Sequence, residues 1–294
     1  MPPTPAFDDP PRTPVEEHRF PCSSCGSDMR FDPQQNLLVC DYCGNTESIS
    51  DRRRHQPIAE LDFSKAITRQ LPQAEMEEIR VSRHIKPRAV LPFALTETVA
   101  RDAMTQWLGR LWFAPNNLQA YARKGRRMQG IYVPYWTYDA DTQSSYSGER
   151  GTVYYVTQTV MRDGKPVQQQ VPKVRWRSVS GRVSRFFDDV LVLASRSLPK
   201  RFTDGLEPWD LAALEPYAPE YLAGFRAEAY AVTLEEGFAE ARQIMDRMIE
   251  RDVRFDIGGD RQQVHDIQTR LSNVTFKHVL LPVWLAAYKY QGKT

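Results

Sequence analysis

The sequence predicts an α+β protein in which a small N-terminal hairpin precedes a larger mixed domain. Three observations predict this fold class. Two cysteine pairs bracket two short apolar runs near the N-terminus. Further along, apolar residues recur at helical spacing in two segments, and other segments alternate as strands do. The chain has 294 residues and is 41% hydrophobic, which is enough for one large core beside the hairpin.

The four cysteines of the chain form two Cys-x-x-Cys-Gly units, Cys22 with Cys25 and Cys40 with Cys43. Each unit lets two thiolates reach one ion from a tight turn, and the glycine that follows can adopt a positive φ. Four thiolates saturate a tetrahedral ion, so the spacing predicts one structural Zn²⁺. Two disulfides or a redox pair are the alternatives, but no secretory signal and no thioredoxin-like pattern accompany the cysteines.

Two short strands are predicted between the cysteine pairs, at residues 29–31 and 37–39, with turn residues at 32–36. This hairpin with its four-cysteine zinc site is a zinc ribbon, predicted at residues 18–46. A unit this small buries too little apolar surface to fold alone, so metal binding should supply most of its folding free energy, about 10 kcal/mol. The ribbon is expected to have a core separate from that of the larger domain.

The composition predicts three further segments around the ribbon. Residues 1–17 are rich in proline and polar residues, which indicates a disordered tail. Residues 47–83 are predicted to be a linker with a short helix around residues 61–71. Residues 84–294 are predicted to form the mixed α+β domain.

Two amphipathic helices are predicted in the α+β domain. The second is preceded by Thr233-Leu-Glu-Glu236, a predicted capping box. The apolar stripes consist of Val99, Ala100, Ala103, Met104, Trp107, Leu108, Leu111 and Trp112 in the first helix, and of Phe238, Ala241, Ile244, Met245, Met248 and Ile249 in the second.

Strand-like alternation at residues 152–160 and 167–176, with Asp163-Gly164 between the two runs, predicts a β-hairpin. Residues 188–194 are predicted to form a buried strand that begins at a polar end. The prolines in residues 208–219 favour a loop with a short helical turn.

The domain contains a candidate internal duplication. Residues 93–100 resemble residues 232–239, and the Pro-x-Trp segment at 131–136 resembles that at 280–284. Each copy would consist of a strand, a helix and a strand that carries Pro-x-Trp. Coincidence between two amphipathic helices is the alternative.

No motif of an enzyme is present. The sequence lacks a phosphate-binding glycine loop, a dinucleotide fingerprint, a nucleophile elbow and a zinc-protease helix. The five histidines are scattered, and a tetrathiolate site leaves no free cysteine. Asp188-Asp189 could bind a cation or take part in an unrecognised reaction, but a solvated strand end is the preferred interpretation. We therefore expect no catalytic residue and no small-molecule substrate.

Two basic clusters are candidates for contact with nucleic acid or phosphate: Arg123, Lys124, Arg126 and Arg127, and Lys173, Arg175 and Arg177. The alternation of the second cluster puts three cations on one strand face. The preferred interpretation is a solvated outer face opposite buried Val174 and Trp176, because the net charge of the whole chain is only +2.

Several long motifs resemble a bacterial family of TFIIB-type zinc-ribbon proteins, often labelled "primosomal protein N′ (replication factor Y), superfamily II helicase". The resemblance covers nearly the whole chain. The segments that carry it are Phe20-Pro-Cys22-x-x-Cys25-Gly26, Val39-Cys40-x-x-Cys43-Gly44, Ile85-Lys-Pro-Arg-Ala-Val-Leu-Pro-Phe93, Trp107-Leu-Gly-Arg-Leu-Trp-Phe-Ala114, Gly130-Ile-Tyr-Val-Pro-Tyr-Trp136, Gly148-Glu-Arg-Gly-Thr-Val-Tyr-Tyr155, Phe187-Asp-Asp-Val-Leu-Val192 and Lys277-His-Val-Leu-Leu-Pro-Val-Trp284.

The resemblance implies a non-enzymatic adaptor that binds a protein partner. Relatives of this type carry a second ribbon and a C-terminal hydrophobic anchor, which implies a membrane-organising scaffold as the partner. Here residues 78–84 join the flanking parts without that second ribbon, and the chain stops at Thr294 in mid-strand. A natural short variant, a fragment and an incomplete gene model are the alternatives. The helicase label is interpreted as inherited from the ribbon alone.

The expected function is therefore that of a zinc-ribbon adaptor in the cytoplasm, or at the cytoplasmic face of the membrane as in the anchored relatives. No run of about 18 apolar residues is present. A nucleic-acid-binding accessory protein of replication or transcription, without helicase activity, is the second choice.

Overall fold

The computed structural model describes residues 15–49, 57–68, 76–79, 82–110, 128–162 and 165–286. The strands are β1 (Val15–Glu17), β2 (Met29–Asp32), β3 (Leu37–Cys40), β4 (Thr46–Ser48), β5 (Leu61–Asp62), β6 (Met76–Ile79), β7 (Ser82–Ile85), β8 (Ala89–Val90), β9 (Gln129–Arg162), β10 (Lys165–Leu193), β11 (Glu215–Pro216), β12 (Arg226–Glu228) and β13 (Arg261–Leu285). The helices are α1 (Phe63–Ile67), α2 (Glu97–Arg110), α3 (Lys200–Thr203) and α4 (Leu234–Ile257). The α+β class is confirmed, although sheet predominates.

One large sheet has the strand order β1-β12-β9-β13-β8-β11, with β10 also paired to β9 and β5 to β13. Three strands of 25 to 34 residues form its centre. β9 pairs antiparallel with β10 from Tyr135 to Arg162, and with β13 from Gln129 to Gly151. The predicted hairpin is therefore confirmed and is longer than its alternating sequence indicated. Its turn residues, 163–164, lie outside the described residues.

Alternate residues of β9 and β13 point to opposite faces of the sheet, and both faces are buried. One face carries Trp136, Tyr138 and Phe276, all completely buried in the core beneath α4. The other face carries Val133 and Leu281 in a second core. The continuous apolar composition of these strands follows from burial on both sides.

Helix α4 lies across β9, β10 and β13 and buries the predicted apolar stripe. The capping box is confirmed, since the Thr233 hydroxyl accepts from the Glu236 N–H and the Glu236 carboxylate accepts from the Thr233 N–H. Gly237 is required at the contact with β9, because a Cβ there would lie 2.6 Å from the Tyr138 hydroxyl. The close approach lets the Trp136 indole donate to the Val232 carbonyl at 3.0 Å.

The ribbon, with strands β2, β3 and β4, packs directly on the large sheet. Phe31 is buried against the Tyr221 ring, with the two ring centroids 5.3 Å apart, and its N–H donates to the Ala223 carbonyl. One core contains Phe31 and Leu38 of the ribbon together with Tyr132 of β9. The expectation of two separate cores is therefore wrong. The ribbon packs its apolar face against the large sheet and the segments beside it, which together are called the body, and does not form a core of its own.

Two predicted irregular segments contain ordered elements. β1 lies within the predicted disordered tail, yet its backbone pairs with β12, so the tail prediction is wrong for residues 15–17; residues 1–14 lie outside the described part. The predicted linker includes β4, β5, α1 and the β6–β7 hairpin. Leu61 and Phe63 pack against the core beneath α4.

The first predicted helix exists as α2, but its apolar stripe is not a core. Leu108 is buried, whereas Val99 is 45% exposed and Trp107 is 59% exposed. No residue of α2 belongs to a core cluster of the described residues. The last two stripe residues, 111 and 112, lie outside the described part.

The pattern of parallel and antiparallel pairings across the six strands from β1 to β11 is the same from either edge of the sheet. β12 is parallel to β9 and β8 is parallel to β13, and each of these outer strands has a further antiparallel neighbour. Trp136 and Trp284 lie on the same face, and the Trp284 indole donates to the Leu95 carbonyl as that of Trp136 does to Val232. A duplicated unit would give this arrangement, but the duplication itself stays a prediction.

We predict that Phe31→Ala will destabilise the whole protein by about 3 kcal/mol, because it removes an aromatic ring from a core shared by ribbon and body. All six tryptophans follow residue 100, so their fluorescence during thermal unfolding reports on the body. The midpoint should fall in one transition. Tyr42→Ala is the control, since Tyr42 is 82% exposed on the ribbon. An unchanged tryptophan midpoint in Phe31→Ala would contradict the shared core.

Candidate metal centre

Two equivalent turns position the four cysteines. The Gly26 N–H donates to the Cys22 carbonyl at 2.9 Å, and the Gly44 N–H donates to the Cys40 carbonyl at the same distance. Both glycines have the positive φ expected from the sequence, 76° and 74°. Each turn folds the second cysteine back beside the first, so both sulfurs of a pair face the same point.

The four sulfurs lie within 4.8 Å of one another. The Sγ atoms of Cys22 and Cys43 are 3.6 Å apart, and those of Cys25 and Cys40 are 3.5 Å apart. Sulfurs held at about 2.3 Å from a tetrahedral ion are separated by about 3.8 Å. The cluster could therefore hold one metal ion with all four thiolates as ligands. The close approach of sulfurs from different pairs also excludes a separate site at each pair.

The surroundings of Cys22 favour its thiolate form. Burial of the sulfur opposes ionisation, but hydrogen bonds from the Ser24 and Cys25 backbone and from the Asn45 amide lower the pKa of Cys22 to about 6. The Ser24 N–H lies 3.4 Å and the Asn45 Nδ2 3.6 Å from this sulfur. Such donors stabilise a metal-bound thiolate. The sequence identified the four cysteines of the cluster but gave no signal for Asn45.

The second basic cluster lies on a long hairpin. Lys173, Arg175 and Arg177 are exposed on one face of β10, as the alternation predicted. Val174 and Trp176 are only half-buried and belong to no core cluster of the described residues, so the buried apolar face expected opposite the cations is not formed. The first cluster, Arg123, Lys124, Arg126 and Arg127, lies outside the described residues.

The Asp188-Asp189 pair belongs to a polar cluster that the sequence did not reveal. Asp189 has a φ of 51° at a bulge between Phe187 and Val190, and its carboxylate lies 2.7 Å from the Lys277 amine. Lys277 also contacts Glu60 at 3.1 Å and Asp139 at 3.8 Å. A buried lysine thus holds together three carboxylates that come from distant parts of the chain. Asp188 itself is exposed.

Asp139 and Glu60 have opposite pKa shifts in this cluster. Burial, together with a hydrogen bond to Glu60, raises the pKa of Asp139 to about 7. For Glu60 burial opposes ionisation, but hydrogen bonds from Asp139, Thr275 and Lys277 lower its pKa to about 2. The two carboxyl groups therefore share one proton near neutral pH, with Asp139 as the donor.

We predict that the Asp139 proton makes stability fall as the pH rises. Its folded pKa is about three units above its unfolded value, so this contribution is complete below about pH 4 and is lost by about pH 7 to 8. Three units correspond to about 4 kcal/mol, and screening by the solvent near this carboxyl group reduces the expected contribution to about 2 kcal/mol. Asp139→Asn mimics the protonated acid and should remove the fall between pH 5 and pH 8 in urea unfolding. Asp188→Asn is the matched control and should retain it. The same pH dependence in both variants would refute the assignment to Asp139.

Comparison with known proteins identifies a distant relative of this chain. "Uncharacterized protein YdjG" of Bacillus subtilis (strain 168) is similar to this chain, with 25% identity over 306 residues that cover 92% of this chain and 84% of the relative. No protein-family model matches the chain, and no solved structure matches it. Among the helices that the structure describes, none has the length and apolar character needed to cross a bilayer.

Proposed function

We propose that the chain is a non-enzymatic zinc-ribbon adaptor that binds a protein partner. The approach of four cysteine sulfurs within 4.8 Å is the observation that carries the metal part of this proposal. Four thiolates in a tetrahedron are a donor set typical of structural zinc, and they leave no position for water or substrate. Iron takes the same donors, so the identity of the metal requires a direct test.

The role proposed for the ion is to hold the ribbon in the shape that fits the body. Cys22 and Cys40 are buried in the same core as Phe31, whereas Cys25 and Cys43 are exposed. Binding of the metal fixes all four turn positions and therefore fixes the hairpin that presents Phe31 to the body. Metal binding would thus stabilise the body as well as the ribbon.

The proposed surface for the protein partner is the apolar face that begins before α2. Leu95, just before the helix, is 51% exposed, and Val99 and Trp107 of the helix are 45% and 59% exposed. Beside this face is a groove of about 530 Å³ between the ribbon and the sheet, lined by Phe31, Pro33, Leu91, Phe93, Trp209 and Trp284. Exposed apolar residues beside an aromatic groove are typical of protein-binding sites.

The family resemblance supports the remaining parts of the proposal. It implies a membrane-organising scaffold as the partner and a position at the cytoplasmic face of the membrane. The assignment as a non-enzymatic protein rests on the absence of nucleotide-binding and nucleophile motifs from the sequence. ATP hydrolysis that a single substitution in this chain abolishes would contradict this assignment.

We predict one zinc per chain when the protein is purified without chelator, as measured by elemental analysis with iron measured in the same sample. Cys40→Ser should lower the zinc content and also the tryptophan-monitored melting temperature, because the ribbon and the body share a core. Ser23→Ala keeps all four thiols and should retain the metal. Stoichiometric iron, or a folded metal-free protein with four titratable thiols, would refute the zinc assignment.

We predict that Val99→Asp combined with Trp107→Asp will abolish recovery of the partner by affinity purification from the native organism. The charged side chains would have to be desolvated at an apolar interface. The matched control is Phe255→Asp, which replaces a side chain that is 89% exposed on α4. Both variants should retain the wild-type melting temperature. A partner that is recovered equally with both variants would exclude α2 as the docking surface.

A further inference from the structure

The hairpin of β9 and β10 extends beyond the rest of the sheet. β13 begins at Arg261, opposite Gly151, and within the described residues β9 pairs only with β10 beyond that point. We name residues 152–177 the arm. Its paired strands continue for 11 residues past Gly151, from Thr152↔Arg175 to Arg162↔Lys165, which corresponds to about 36 Å at 3.3 Å per residue. No arm residue belongs to a core cluster of the described chain.

The arm contains more positive charge than the chain as a whole. It carries five lysines and arginines and one aspartate, a net charge of +4, against +2 for all 294 residues. The remainder of the chain is therefore at −2. Charge segregated in this way produces a local positive field that the near-neutral composition conceals.

Four cations lie on one face of the arm and of its base, where β9 at Arg150 and Gly151 still pairs with β13. Lys173, Arg175 and Arg177 occupy alternate positions of β10, and Arg150 of β9 is directly opposite Arg177. Neighbours on one face of a strand are about 7 Å apart. Like charges placed opposite each other across a ladder are destabilising. Repulsion between these cations is therefore expected to lower the stability of the hairpin.

The three cations of β10 have no acidic partner among the residues that the structure describes. Lys173, Arg175 and Arg177 form no ion pair there, whereas Arg185 further along β10 pairs with Asp252 at 2.6 Å. The Arg175 guanidinium lies over the Tyr154 ring, 5.2 Å from its centroid. The contact holds one guanidinium against the strand and leaves its outer edge in solvent. The face is thus pre-arranged to contact an anion.

We infer that the arm binds duplex DNA, with this cationic face against the phosphate backbone. The shape of the arm favours duplex DNA over other polyanions, since a two-stranded ribbon fits the major groove, which is about 12 Å wide and 8.5 Å deep. The deep, narrow major groove of duplex RNA does not admit such a ribbon. The arm side chains that the structure describes are exposed or half-buried and belong to no core cluster, so the arm can enter a groove edge-on. This activity goes beyond the adaptor role and does not depend on α2 or on the metal.

The test is fluorescence anisotropy with a labelled 30-base-pair duplex and the full chain, at salt concentrations from 50 to 200 mM. The variant Lys173→Gln/Arg175→Gln/Arg177→Gln should weaken binding at least tenfold at 100 mM salt. It should also reduce the slope of log K against log salt by about 2.7, which is 0.9 for each lost phosphate contact. The substituted residues are exposed, and an unchanged melting temperature verifies the fold.

The matched control is Arg247→Gln/Arg251→Gln/Arg270→Gln, which removes the same charge from exposed positions outside the arm. It should retain most of the affinity and the slope. Equal losses in the two variants, or no binding by the wild type, would overturn the inference. So would tenfold tighter binding of a single strand of the same length. Arm-dependent binding to phosphatidylserine vesicles without DNA binding would assign the face to a membrane surface instead.

Discussion

The antiparallel pairing of β9 with β13 is the interaction on which the rest of the structure depends. It runs from Gln129↔Leu285 to Gly151↔Arg261 and gives the sheet two apolar faces. Helix α4 covers one end of the first face, and the ribbon covers the other end of that face. Residues separated by more than 100 positions must meet before either core can form, so folding is expected to depend on these non-local contacts.

The candidate metal centre is local in sequence, but the ribbon that contains it shares a core with the large sheet. Two turns of five residues each create the four-sulfur cluster without help from the body. The ribbon nevertheless places Phe31 against Tyr221 and Tyr132 in the shared core. The proposed ion would therefore act on the sheet through Phe31, whose packing requires the hairpin geometry. A structural metal site at this place would stabilise both the ribbon and the sheet.

The sequence predicted the features that are encoded locally. Cysteine spacing predicted the four-sulfur cluster, the Thr233–Glu236 motif predicted the start of α4, and alternation predicted the β9–β10 hairpin. It did not reveal the Lys277 cluster, because Glu60 and Lys277 are 217 residues apart and neither lies in a motif. Periodicity identified the apolar stripe of α2 but not its exposure, since periodicity predicts that a face is apolar and not that another element covers it.

The base of the arm shows how an uncovered hairpin can remain ordered. Isolated two-stranded ribbons are only marginally stable in water, and repulsion between Arg150 and Arg177 weakens this one further. The base is held by the C-terminus of α4, where Arg150 donates to the Ile257 carbonyl, and by Asp260, which accepts from the Val153 N–H at 2.7 Å. These contacts bring the end of a helix and a carboxylate to the base of a basic ribbon, which offsets part of the repulsion there. The cations beyond the base have no such compensation within the described chain, and a polyanion would supply it.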